Sequence, residues 1–128
     1  MQEQQLFEYA VIRVVPQVER EEFLNVGVVL FCARKKFLQV LYVLDHGRLS
    51  AFSPRLDIAE VAAYLRSFEK ICNGSPDSGP IGCLPPPDRF RWLTATRSTV
   101  LQASKIHPGF CIEPAEQLMK LFKSIVEL

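Results

Sequence analysis

An arginine in the middle of an apolar strand is the residue here whose chemistry is hardest to ignore. Arg13 stands inside Tyr9-Ala-Val-Ile-Arg-Val-Val-Pro16, and a guanidinium buried without a partner is costly. It needs a carboxylate or an anion. If the following strand folds back on the first, Glu22 is the expected carboxylate, and a structural ion pair is the preferred reading. The competing reading is an anion or phosphate site, because the guanidinium fork suits two-oxygen recognition. The candidate ligand-binding set is Arg13, Arg91, Arg97, Ser98, Gln102 and His107, with Glu22 and Asn25 as supporting polar residues.

Other constellations are weaker. Arg89, Arg91 and Arg97 interleave with Phe90 and Trp92, a pattern that can grip single-stranded nucleic acid by charge and stacking. A solvated strand face with both aromatics turned inward is preferred, because the net charge is only +1. Ser98, His107 and Glu22 are the ingredients of a nucleophilic triad, but no Gly-x-Ser-x-Gly elbow surrounds Ser98. His107 and Cys111, with Cys72 and Cys83, lack the paired spacing of zinc sites, so no metal is expected. Gly74, Gly79 and Gly82 sit among prolines without a following Lys-Ser/Thr, so no phosphate loop is present and no cofactor is expected.

The elements that would position these residues follow from period and punctuation. Residues 6–15 read as a central strand, apolar on both faces and ended by Pro16. Residues 26–33 form a second strand, in which Gly27 marks a bulge or a close backbone approach. The short polar turn Arg34-Lys35-Lys36 joins it to a third strand over 37–44. Asp57, with Glu60 three residues on, opens a helix whose apolar residues Ile58, Val61, Leu65, Phe68 and Cys72 share a face. Asn73-Gly74 stops it. Residues 75–88 are a Pro/Gly-rich loop, 89–93 are ambiguous, and 98–106 alternate as a fourth strand. His107-Pro108-Gly109 reads as a turn, and Pro114 opens a final helix with a wide apolar stripe.

The chain of 128 residues, 48 % apolar and 23 % charged, suits one domain over 1–128. Its start has no basic and apolar leader, and no run reaches the ~20 apolar residues of a membrane helix. A cytoplasmic protein with four reduced cysteines is expected.

Three stretches carry a family resemblance: Tyr9 to Pro16, Glu22-Phe-Leu-Asn-Val-Gly-Val-Val-Leu-Phe31, and Arg89-Phe-Arg-Trp-Leu-Thr94 followed by Arg97-Ser98, Gln102, Ser104 and His107-Pro-Gly109. Together they resemble the bacterial domain-of-unknown-function family 3037, over roughly Phe7 to Val126. The resemblance implies a stand-alone bacterial cytoplasmic domain. It also implies a companion gene resembling toxin-type serine/threonine kinases, which makes such a kinase one candidate partner. Gln17 departs from the acidic residue that follows the motif proline in the family, which weakens an acid-based role for that turn.

The expected fold is α+β: a mostly antiparallel sheet of about four strands with two main helices packed on it. The expected function is a protein-interaction or accessory module, using the sheet edge or the terminal helix. The alternative is a binder of, or enzyme acting on, a phosphorylated ligand or nucleic acid through the arginines.

Overall fold

A strand that is apolar on both faces demands cover on both sides, and the rest of the chain supplies it. The computed structural model describes residues 3–97 and 99–127. The central strand is β1, Gln5–Val14. It pairs antiparallel with β2, Leu24–Cys32, which pairs antiparallel with β3, Phe37–Tyr42. On the other side of β1 lie β4, Leu101–Ala103, and β5, His107–Cys111, each antiparallel to a different part of it. The spatial order is β3-β2-β1-β4, with β5 continuing the edge that β4 begins.

Helices α1, His46–Phe52, α2, Ile58–Asn73, α3, Gly79–Gly82, and α4, Pro86–Thr94, occupy the long connection from β3 to β4. Leu49, Val61, Leu65, Phe90 and Leu93 from this segment pack with Ala10, Ile12, Val14, Val29 and Val40 on one sheet face. The last helix, α5, Pro114–Ile125, covers the other face, where Leu118, Phe122 and Val126 meet Phe7, Val28, Leu30 and Cys32. The molecule is therefore α+β, a five-stranded antiparallel sheet between two helical layers.

Local chemistry sets the boundaries. The Asp57 carboxylate accepts from the Glu60 N–H at 3.1 Å, and Gly74 closes α2 at φ +64°. Gly27 sits where an added Cβ would lie 2.7 Å from the Leu41 carbonyl oxygen. The β1–β2 register also slips between Ile12 and Arg13, so that Arg13 faces Asn25 rather than Val26. Both readings of Gly27, bulge and close approach, thus meet within one short stretch.

Four expectations are corrected. Residues 75–88 are not all loop: α3 lies within them and α4 begins at Pro86. Proline at a first helical position loses an N–H that has no intrahelical partner anyway, so proline-rich sequence starts these helices instead of breaking them. The alternation of bases and aromatics over 89–93 lies in α4, not on a strand face. His107-Pro108-Gly109 is not a turn but the first part of β5. An edge strand tolerates proline where its missing N–H would face outward, and Gly109 lies under the Phe7 ring, where a Cβ would come within 2.7 Å of Cζ. The fourth strand expected over 98–106 is confined to 101–103, and Ser98 lies outside the described residues.

Candidate functional site

Residues directly opposite one another in an antiparallel pair share a sheet face. Arg13 faces Asn25 on β2 and Gln102 on β4, so these three form a polar row across the sheet. The guanidinium carbon of Arg13 lies 4.1 Å from the centre of the Phe23 ring. Glu22 is taken by Arg20 at 2.5 Å, so the expected Arg13–Glu22 pair does not form. That Arg20 contact, hydrogen bond first and charge second, holds the Glu22 carboxyl below its ordinary range and raises Arg20. Arg13 is instead held by an aromatic face. Its Nε and the Oδ1 of Asn25 are both buried without a partner. A free donor and a free acceptor in one row can satisfy each other or share a bridging water; they do not require an anion.

The remaining arginines have contacts of their own. Within α4, Phe90 is buried and Trp92 is 39 % exposed. Arg89 lies against Gly74, and its Nη1 donates to the Leu84 carbonyl at 2.7 Å. Arg91 points to solvent, 3.6 Å from Asp88. Arg97 stacks on Trp92 at 4.1 Å and donates through Nη2 to the Trp92 carbonyl at 2.5 Å, joining the Ala95 N–H on that oxygen at the end of α4. Arg13, Arg91 and Arg97 therefore each have a different neighbour, Phe23, Asp88 and Trp92. His107 is exposed, and its ring packs tilted against Tyr9, 5.2 Å between ring centres. Glu22 is bound to Arg20, and Ser98 lies outside the described residues.

The cysteines are scattered. Cys72 is buried in the α2 layer, where desolvation pushes its thiol up to about 12. Cys111 is buried on the α5 side near Cys32, and burial is the main cause of its raised pKa. Cys83 is exposed. Among the described residues, no group of three or more His, Cys, Asp or Glu is placed to hold a metal ion, and no helix is long and apolar enough to cross a membrane.

What the structure does bring together is a groove beside β4. Tyr64, Phe68 and Ile71 from α2, Trp92 and Leu93 from α4, and Leu101 and Ala103 from β4 line a cavity of about 230 Å³. The Tyr64 hydroxyl is occupied by Glu60 at 3.0 Å. Arg97 is the one charged side chain among the described lining residues. Gln102 also lines the groove, although its position in the sheet belongs to the opposite face, so the groove opens around the strand edge. Its amide nitrogen turns back to the Thr99 carbonyl at 2.9 Å.

The backbone of β4 completes this groove. The Val15 N–H donates to the Val100 carbonyl at 2.7 Å, and the Ser104 N–H donates to the Val11 carbonyl at 2.8 Å. In an antiparallel ladder the pairs alternate, so Gln102 turns its backbone groups toward β1 while Leu101 and Ala103 turn theirs outward. Among the described residues no strand pairs with that outward side. The Thr99 hydroxyl occupies the Leu101 carbonyl at 2.6 Å, which leaves the Leu101 N–H and both Ala103 groups facing out.

Sequence reasoning named Arg97 and Gln102 but missed Tyr64, Phe68, Trp92 and Leu101 as lining residues. The signal for α2 was there: Tyr64, Phe68 and Ile71 follow at i, i+4 and i+7, beside the stripe that faces the core. The terminal helix fares differently as a docking surface. Leu118 and Phe122 are 2 % and 8 % exposed, spent on the sheet.

A family model described as "Protein of unknown function (DUF3037)" matches residues 9–126. No curated protein and no solved structure matches the chain.

Proposed function

The chain belongs to the DUF3037 family of proteins of unknown function, and we propose that it is an accessory module that binds a partner protein by adding an extended segment of that partner to the outer edge of β4. The observation that carries this is the coincidence of an apolar cavity of about 230 Å³ with outward-facing backbone groups on the strand that borders it. Strand addition works in this way: main-chain hydrogen bonds supply affinity, and a pocket for alternate side chains supplies specificity. The other end of the same edge is less suited. Pro108 in β5 has no N–H to offer, although Leu6 and Phe110 are exposed beside it.

The alternative, a phosphorylated ligand or nucleic acid at an arginine cluster, gains less support because Arg13, Arg91 and Arg97 are each engaged by a different neighbour, Phe23, Asp88 and Trp92. A partner protein is the ligand class, and a toxin-type kinase is one candidate. The tagged chain should retain a stoichiometric protein from its native cell. Ala103→Trp, which fills the groove, should release it, while Met119→Asp on the exposed side of α5 should not. Retention by Ala103→Trp with loss by Met119→Asp would move the interface to α5 and end this proposal.

A further inference from the structure

We infer that the segment the groove accepts is the C-terminus of its partner, with an apolar last residue in the cavity and the terminal carboxylate on Arg97. The inference rests on the strand-addition reading above.

Charge is the first ground. Arg97 lines an otherwise uncharged groove with its guanidinium over the Trp92 ring, and among the described residues only Nη2 is committed, to the Trp92 carbonyl. A guanidinium carries five N–H donors in a fixed fork, so a planar carboxylate finds a preorganised partner there. Apolar lining with one cation calls for an apolar group beside one negative charge.

The length of the edge is the second ground. Thr99 blocks the Leu101 carbonyl at one end. At the other, Ser104 leaves the regular ladder, its side-chain oxygen replacing its own carbonyl opposite the Val11 N–H. Only a short ladder along 101–103 is available, enough for a chain end and too little to hold a strand that must also continue past both ends.

The third ground is closure. Ala95, Arg97 and Thr99 all line the groove where β4 begins, so an added strand runs into them. A chain that ends there leaves its carboxylate at Arg97. The cavity, at about 230 Å³, is several times the ~30 Å³ share of one water. It therefore has room for an apolar side chain.

The test passes two pools of random hexapeptides over the immobilised full chain, one with free carboxyl termini and one with amidated termini. Mass spectrometry then reads the retained sequences. The expected result is enrichment of Leu, Ile, Val or Phe at the last position of the free-acid pool, with about tenfold weaker retention of amides. Arg97→Gln should bring the free acids down to the amide level, with only a small fall in melting temperature from the lost contacts to Trp92. Equal retention of both pools, lost in Ala103→Trp, overturns the C-terminal inference and leaves strand addition standing. Retention of amides with an internal acid, abolished by Arg97→Gln, also overturns it and assigns Arg97 to an acidic side chain. Retention of neither pool removes both readings.

Discussion

Ser104 does for β1 what a main-chain carbonyl does elsewhere in the sheet. Its Oγ accepts from the Val11 N–H at 2.8 Å and donates to the Lys105 carbonyl at 2.9 Å. Ser104 is 6 % exposed, so Ser104→Ala leaves a buried donor without a partner. The expected loss is about 1–3 kcal/mol, read from urea denaturation; a variant as stable as the wild type would show that the β4–β5 irregularity serves no such purpose. Ser104 belongs to the sequence motif around His107, and its role there is structural. Arg13 teaches the converse. Its need for a partner was legible from its neighbours, but the partner was not. Glu22 is nearer in sequence, yet Arg20 lies two residues from Glu22 and takes it, while Phe23 offers its ring. Sequence distance does not rank an ion pair against a cation–π contact when both are within reach.

Elements with a strong period were read correctly, and short ones were not. The apolar stripe and paired caps of α2 marked it from end to end. β1 announced a two-sided environment through its composition, and both helical layers are present. The helices α3 and α4 escaped because proline-rich sequence suggests a loop until one asks whether each proline falls at a helix start. β4 and β5 were blurred because one irregular edge was split between a strand and a supposed turn. Gly27 is where an element-scale prediction can be made most sharply. A Cβ there would sit 2.7 Å from the Leu41 oxygen and 2.9 Å from Tyr42 Cβ. Since the backbone of β3 cannot yield without losing its pairing to β2, Gly27→Ala should cost about 1–3 kcal/mol. Thermal unfolding measures it, and an unchanged midpoint would mean that β3 moves freely away from β2.

At the scale of the whole molecule, the three-layer arrangement covers both faces of the sheet and, among the described residues, leaves the outer sides of β3 and of β4–β5 without a strand partner. Sheet edges are usually blunted, and here the treatment differs along the edge: Pro108 interrupts β5, while β4 keeps its outward groups beside a groove. The groove was illegible in the sequence because its lining comes from α2, α4 and β4, whose meeting depends on helices the sequence disguised as a loop. The family resemblance was visible and is upheld over residues 9–126, but it carries no activity with it. The most direct measurement is hydrogen exchange of the full chain, residue by residue, with and without the partner or peptide it retains. Strand addition predicts that the Leu101 and Ala103 amides exchange freely alone and become protected on binding, with little change on α5. Protection confined to α5 or to the Arg13 row, with Leu101 and Ala103 still exchanging freely, would contradict it.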